Sequence, residues 1–306
     1  MGPRRGEITR RSIWLPPEPR DDPRASLYAH MFMEDCVNRV LPWKTPDGDT
    51  DVATFAPPDL RAEDLVAAGL GRDRSLTSAL HEFSRVSLQM AMLDGRAAFE
   101  LAYKTDGTKS SPVGLELLPI WDGQLTYKER VVVQELPERA EALGHPRRAE
   151  IPRDLVFSLP PSLVDRCYSA YQALLPVRED TPKFAFDVMS GEEAIPFDFR
   201  LYNNSEKQQA ARAVRDIGWD GRGLISDSLT EFYLVERQLR FAKWLAQARS
   251  ELLGVVNAVV EQAGTVLGFA GRVEIPSARS VRELEEATAQ LHARALSFER
   301  AIALCF

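Results

Sequence analysis

Residues 75–103 read SLTSALHEFSRVSLQMAMLDGRAAFELAY, and a change of hydrophobic period within them decides the fold class. From Leu76 to Leu93, apolar residues recur every three or four positions, which is typical of a helix with one buried face. Ser75 is suited to cap the start of this helix and Gly95 to end it. From Ala98 to Tyr103 the pattern is that of a strand. A helix that leads directly into a strand predicts a mixed α+β fold.

The strand pattern continues beyond residue 103. Asp106-Gly107 predicts a hairpin turn, with Gly114–Leu118 as the returning strand. Further strand-like runs lie at Gln124–Tyr127, Val131–Glu135 and Leu155–Leu159. Residues 75–160 are therefore predicted to form an antiparallel β/helix region.

The C-terminal half is predicted to be mostly helical. Its longest periodic run defines one long helix at about 230–267 with a wide apolar face. A short strand is predicted at Arg272–Ile275 and a strongly amphipathic helix at Val281–Ala295. The chain is thus predicted to divide into a flexible Arg/Pro-rich tail at 1–24, a helical or irregular segment at 25–74, the β/helix region at 75–160 and a mainly helical region at 161–306.

Charge limits the classes of partner. The chain has 38 basic and 45 acidic residues, a net charge of −7. Residues 1–24 carry six arginines against four acidic residues, so this tail is +2 and the remaining chain is −9. The balance excludes a protein that holds nucleic acid by bulk attraction. It leaves open a local basic face, or a surface past which DNA slides.

One local basic stripe is predicted on the long helix. Arg237, Arg240 and Lys243 follow one another on successive turns and are candidates for contacts with a phosphate backbone. The same spacing also suits ordinary surface ion pairs, for which the nearby acidic residues are Glu231, Glu236 and Glu251. The sequence leaves both interpretations open.

The sequence contains no motif for catalysis, cofactor binding or metal binding. Three cysteines lie far apart at Cys36, Cys167 and Cys305, so neither a disulfide framework nor a cysteine-rich zinc site is expected. The four histidines are widely separated, and no P-loop, complete dinucleotide fingerprint, zincin pair or nucleophile elbow is present. No apolar segment reaches the length of a membrane span. We therefore predict a protein that is not an enzyme, uses no cofactor or metal and does not associate with a membrane.

Three strings in chain order carry a family resemblance. After the helix at 75–93 come Asp94-Gly-Arg-Ala-Ala-Phe-Glu-Leu-Ala-Tyr103, Val113-Gly-Leu-Glu-Leu-Leu-Pro-Ile120 and Ile151-Pro-Arg-Asp-Leu-Val-Phe-Ser158. This order resembles the wing region of tailed-bacteriophage portal proteins, in which strands of the patterns G-x-A-x-x-x, G-x-x-x-L-x-P-I and I-P-x-D-x-V/I-x-F follow one another. The long helix that begins with Thr230-Glu-Phe-Tyr-Leu-Val-Glu-Arg-Gln-Leu-Arg-Phe241 is similar to the portal segment that leads back toward the ring. Residues 75–160 would then form a wing-like region.

The resemblance implies a mechanical function. A ring of about twelve copies would form a DNA-passage channel at a capsid vertex and act as head–tail connector during DNA packaging. Its partners would be the terminase large subunit, capsid and head–tail adaptor proteins, with double-stranded DNA passing through without sequence specificity. The protein would belong to a virion or phage-derived particle assembled in the bacterial cytoplasm. The chain is shorter than usual portal chains, and 161–225 is short for a full stem and clip, so the resemblance is to a reduced or phage-derived portal-like protein.

Two other functions stay open at this point. One is a non-catalytic α+β protein-interaction module that uses the long amphipathic helix as its docking element. The other is an enzyme of unrecognised type, because residues that meet only in the folded chain leave no local motif.

Overall fold

The computed structural model describes residues 7–15, 26–45, 47–71, 75–105, 111–178, 208–222 and 230–305. It confirms the α+β class, with antiparallel sheets and a helical C-terminal half that includes one long helix. In chain order the elements are β1 (Glu7–Ile8), α1 (Leu27–Arg39), β2 (Thr54–Ala56), α2 (Leu60–Leu70), α3 (Leu76–Asp94), β3 (Ala98–Thr105), β4 (Pro112–Pro119), β5 (Gln124–Tyr127), β6 (Val131–Glu135), α4 (Arg139–Ala142), β7 (Arg148–Pro152), β8 (Val156–Ser158), α5 (Pro161–Leu174), α6 (Glu231–Leu267), β9 (Arg272–Glu274), α7 (Val281–His292) and α8 (Phe298–Ala303).

The chain forms two compact units, each built from separate stretches of sequence. Unit 1 comprises Met1–Arg20, Leu41–Val164 and Arg249–Ala278, and unit 2 comprises Asp21–Val40, Asp165–Ala248 and Arg279–Phe306. The division differs from the sequential one expected, because residues 249–278 pack with the β-rich unit and not with the rest of the C-terminal half. Helix α6 contributes its first half to unit 2 and its second half to unit 1.

In its described residues, unit 1 contains three antiparallel sheets. In the first, β3 pairs with β4 along most of its length and with β1 and β8 at its two ends, so that Ala98 lies opposite Ser158. The second consists of β5, β6 and β7, and the third pairs β2 with β9. The predicted hairpin turn at Asp106-Gly107 lies outside the described residues.

The predicted boundaries of α3 are confirmed. Ser75 accepts a hydrogen bond from the backbone N–H of Ser78, and Gly95 takes the left-handed conformation at φ +63°. The helix packs onto the first sheet, where the rings of Phe83 and Phe99 are 5.0 Å apart. The change of period read from the sequence therefore marks the point where a helix is followed by the central strand of a sheet.

The N-terminal residues differ from the flexible tail that was expected. Residues 7–15 are packed on unit 1: β1 pairs with Lys104 and Thr105, and Leu15 is buried against Leu136 and Ala140. The composition of 1–24 is polar on average, and the average hides the apolar run at residues 13–15. The remainder of the predicted tail, 1–6 and 16–24, lies outside the described residues.

Unit 2 is helical in its described part and has its own core. The first half of α6 contributes Val235, Leu239, Ala242 and Ala246 to this core, which α7 and α8 cover with Leu284, Ala287, Leu291 and Ala301. Helix α7 confirms the predicted amphipathic helix and ends three residues earlier, at His292. None of the three cysteines forms a disulfide, and all three are buried.

Candidate nucleic-acid interface

A concave surface of unit 2 collects three cationic side chains. Arg166 of α5 and Arg240 and Lys243 of α6 line a cleft of about 640 Å³. Asp216 is the acidic residue in the lining, and small side chains from α5 and from the helical segment at 208–213 form much of its wall. We call this surface the cationic cleft. Three cations and one carboxylate line the cleft, and the carboxylates of Glu236 and Glu285 contact Arg240 and Lys243 from outside this lining.

The cations of the cleft are held by partners that position them. The Arg166 guanidinium donates to Gln247 Oε1 at 3.1 Å. Arg240 donates to Glu236 Oε1 at 2.9 Å and to the carbonyl oxygen of Arg215 at 3.1 Å. Lys243 Nζ lies 3.5 Å from Glu285 Oε1 in a partly exposed ion pair. The Lys243–Glu285 pair is largely exposed, and exposed pairs are weak, whereas Glu236, the partner of Arg240, is only 19% exposed.

Arg237, the third residue of the predicted stripe, is not in the cleft. Its Nε donates to the carbonyl oxygen of Trp219 at 2.9 Å, and burial lowers the pKa of its guanidinium. Gly218 makes this contact possible: its φ is +84°, and a Cβ there would lie 2.6 Å from the carbonyl oxygen of Arg237. Arg237 therefore holds the 218–219 backbone against α6.

A buried carboxylate anchors the segment that forms one wall of the cleft. Asp35 of α1 accepts hydrogen bonds from Trp219 Nε1 at 2.8 Å and from Arg222 Nε at 2.9 Å. Trp219 is fully buried, with its ring edge-to-face on Phe32 at 5.4 Å. The anchoring fixes residues 208–222 beside α6, where Asp216 and Ile217 reach the cleft.

The sequence located two of the three cations and missed the third. Arg240 and Lys243 lie one turn apart on one helix, so their proximity can be read from spacing. Arg166 lies on a different helix more than 70 positions earlier, and only the fold brings it to them. Helical spacing also could not predict that Arg237 lies outside the cleft, because the carbonyl oxygen that it contacts belongs to Trp219 in a turn.

The histidines and acidic residues do not converge on a second site in the described ranges. No group of three or more His, Cys, Asp and Glu side chains is placed there to hold a metal ion. His30 pairs with Glu34, His81 stacks on Trp43 with ring centroids 4.1 Å apart, and His292 lies against Phe232. Among the described helices, none has the apolar length that crossing a bilayer requires.

No protein-family model, no curated protein and no solved structure matches this chain. A functional proposal therefore rests on the residues and on the geometry described above.

Proposed function

We propose that this chain is the structural subunit of a portal-like ring in a phage or phage-derived particle. The observation that carries the proposal is the arrangement of the three strings that resemble the portal wing. The first two strings contain β3 and β4, and the third runs from the end of β7 into β8; β3 lies between β4 and β8 in one sheet. Strings far apart in sequence thus form one structural unit, in the order expected of a wing: helix α3, hairpin, intervening sheet, returning strand and helix α5.

The long helix supports the same proposal. Helix α6 has 37 residues and begins at Glu231, within the string that resembles the portal segment leading back to the ring. At 1.5 Å per residue it is about 55 Å long. Its first half packs in unit 2 and its second half in unit 1, where Asn257 both donates to and accepts from the backbone of Val273 in β9. A continuous helix of this length is suited to a mechanical assembly.

Exposed apolar side chains provide candidates for contacts between subunits. In a ring, two different faces of each subunit meet, so both must carry surface that is buried only on assembly. In unit 1 the side chains of Leu60 and Trp43 are 82% and 59% exposed, and in unit 2 Tyr233 and Leu27 are exposed. Single exposed apolar residues are common in monomers, so these four are candidates and not a defined interface.

The charge distribution suits the passage of DNA. A net charge of −7 keeps a duplex from adhering to the protein, while the cationic cleft offers a small number of transient phosphate contacts. The terminase large subunit, the capsid and the head–tail adaptor would be the protein partners in such a particle. No cofactor is required for any of these roles.

The test is the mass and shape of the purified protein. A ring of about twelve copies of a 34.3 kDa chain has a mass of about 410 kDa and a central channel visible in negative-stain images. Mass photometry and imaging at micromolar concentration should show this species. A protein that stays monomeric at 100 micromolar, with and without 150 mM salt, would contradict the proposal.

The alternative of a protein-interaction module is less well supported, because the apolar face of the long helix is largely covered. It needs an uncovered apolar face on the long helix. In unit 2 that face packs on α7 and α8, and in unit 1 Val256, Val259 and Val260 are buried. Among the described residues, α6 therefore offers a partner no long apolar groove.

A further inference from the structure

Residues 7–15, which we call the arm, lie on unit 1 in the manner of a bound peptide. The strand pairing of β1 involves only Glu7 and Ile8. Most of the contacts to the arm backbone are hydrogen bonds with side chains of unit 1. We define the arm groove as Glu100, Asp122, Gln134, Leu136 and Ala140. Each of the first three hydrogen-bonds to main-chain atoms of the arm, and the last two surround its apolar anchor.

Glu100 is the centre of the groove. It lies in the middle of β3, and only 1% of its surface is exposed. Its Oε1 accepts the backbone N–H of Arg11 at 2.8 Å, and its Oε2 accepts that of Ser12 at 2.7 Å. Within the described residues these two amides are its hydrogen-bond partners, and the Arg10 guanidinium of the arm provides electrostatic attraction. The carboxylate is thus satisfied by the arm and not by the sheet around it.

Two further side chains extend the recognition along the arm. Gln134, fully buried in β6, accepts the N–H of Ile13 at 2.9 Å and donates to the carbonyl oxygen of the same residue at 2.9 Å. Asp122 accepts the N–H of Leu15 at 3.0 Å, while Arg139 fixes its other oxygen. The groove therefore accepts the backbone N–H groups of four positions of the arm, 11, 12, 13 and 15.

The arm adds one apolar anchor to this backbone recognition. Leu15 is 1% exposed and packs with Leu136 and Ala140, with Ile13 against the same cluster. The neighbouring Trp14 is 48% exposed. Main-chain hydrogen bonds with side-chain pockets at alternate positions are the general mode by which proteins bind extended peptides.

An empty groove would be costly. Without the arm, the buried Glu100 carboxylate would lose both its amide donors, and Gln134 would lose two hydrogen bonds. Strands β3 and β6 are themselves paired in the β3–β4 and β6–β7 ladders. The groove thus requires a peptide backbone with two adjacent N–H groups.

The geometry points to a peptide-recognition site that accepts the arm of a second copy of this chain as well as its own. The groove holds the arm through its backbone and one leucine side chain, so the identical segment of a second copy fits it equally well. Both modes make the same contacts, and the choice between them depends on local concentration. Residues 1–24 carry +2 and the remaining chain −9, so the basic segment that contains the arm is complementary in charge to the remainder of a second copy. This inference needs a second copy and does not depend on the proposed ring.

The first experiment measures recognition in the full chain. A protease site is introduced within residues 16–25, the folded protein is cut there, and a fluorescein-labelled peptide of residues 7–15 is added. We expect the peptide to exchange with the cut arm and to bind saturably by fluorescence anisotropy. A Leu15→Asp peptide should bind at least about tenfold more weakly, whereas a Trp14→Ala peptide should bind as the native one does.

The groove is tested in the same assay with a matched pair of variants. Glu100→Gln replaces one acceptor oxygen with a donor and should weaken peptide binding about tenfold or more. Glu135→Gln removes an exposed carboxylate one position from Gln134 and should leave binding unchanged. Equal affinities for the native, Leu15→Asp and Trp14→Ala peptides, or no saturable binding, would overturn recognition by this groove.

The second experiment tests exchange between copies, again with full chains. One chain carries Leu15→Asp, which leaves its groove intact, and a differently tagged chain carries Glu100→Gln, which leaves its arm intact. Mixing them should give a heterocomplex that exceeds the association of either variant with itself. If the peptide binds but no heterocomplex forms at 100 micromolar, the arm docks only on its own chain and the inference is wrong. A ring held by other faces would still assemble, so the two proposals fail separately.

Discussion

Asp35 is the residue on which the placement of 208–222 depends most directly. It is buried, and its two oxygens accept from Trp219 and Arg222, which lie more than 180 positions later in the chain. Its neighbour Glu34 makes a comparable contact to Arg222 on the surface. Both carboxylates contact Arg222, and they differ mainly in burial. Comparing substitutions of Asp35 and Glu34 therefore shows how much of the effect on stability comes from burial and how much from loss of a charge.

Asp35→Ala should destabilise the protein strongly. The substitution leaves the indole N–H of a fully buried tryptophan without an acceptor and removes one partner of Arg222, and such losses cost about 3 kcal/mol. Glu34→Ala should leave the free energy of unfolding nearly unchanged, because its ion pair with Arg222 lies in solvent. Urea unfolding followed by tryptophan fluorescence measures both. Equal effects of the two substitutions would contradict the role given to Asp35.

His81 should titrate below an ordinary histidine. Burial under Trp43 lowers its pKa, and a hydrogen bond to the backbone carbonyl of Pro42 opposes the shift only in part. Because the folded chain favours the neutral ring, stability should fall as the pH drops from 6.5 through the lowered pKa. NMR titration of the four histidine ring protons should identify His81 as a resonance with a depressed midpoint. His81→Gln should remove this pH dependence, and a His81 midpoint at or above 6.5 would contradict the prediction.

At the scale of single elements, α7 contains a complete capping box. Ser280 Oγ accepts the backbone N–H of Glu283, and the Glu283 carboxylate accepts the backbone N–H of Ser280 at 2.7 Å. That backbone hydrogen bond is the main cause of a lowered pKa for Glu283. The box begins the helix that covers the core of unit 2, so its effect should appear in the stability of that unit.

Ser280→Ala should destabilise α7 by about 1 kcal/mol and raise the pKa of Glu283 only in part, because the Oγ hydrogen bond is lost while the backbone N–H at position 280, the main cause of the lowered pKa, remains. The stabilisation by Glu283 is complete above an ordinary glutamate pKa and is lost as the pH falls through the lowered pKa. The free energies of unfolding of the wild-type protein and of Ser280→Ala should therefore differ less at pH 3 than at pH 7. Ser250→Ala, at an exposed position within α6, is the control and should not destabilise. Carboxyl NMR and thermal unfolding at pH 7 and pH 3 are the measurements. Equal stabilities of Ser280→Ala and Ser250→Ala at pH 7 would contradict the role given to Ser280.

The sequence predicted elements whose signals are local. The Ser75 cap, the Gly95 end and the period of α6 are each contained in a window of a few turns, and all are observed. The arm was not predictable in this way, because the carboxylate and amide that bind it lie near positions 100 and 134. Residues 148–152 were missed for a related reason: β7 is a strand mainly because β6 pairs with it. Arg166 could not be assigned to the cationic cleft from the sequence, because only the fold brings it close to Arg240 and Lys243.

On the scale of the whole molecule, an acidic protein should bind duplex DNA weakly and only through its cationic cleft. Exchanging Arg240 and Lys243 for Gln should reduce the slope of log affinity against log salt by about two, close to 0.9 for each lost phosphate contact. Arg282→Gln is the matched control, since this side chain is 88% exposed on α7 and outside the cleft. Anisotropy with a labelled 20-base-pair duplex between 25 and 200 mM salt measures the slopes. Equal slopes for all three proteins would exclude the cleft as the contact surface.

The burial of the cysteines has a practical consequence for labelling chemistry. Burial raises the pKa of Cys36 well above its usual value and that of Cys305 to about 11, and Cys167 is also buried. Since the thiolate is the reactive form, maleimides and Ellman's reagent should modify the native protein slowly and react with three thiols only after unfolding. A single cysteine substituted for the exposed Trp14 would then take up a dye selectively in the wild-type background. The position of the arm could be followed by distance-dependent fluorescence without first removing any native thiol.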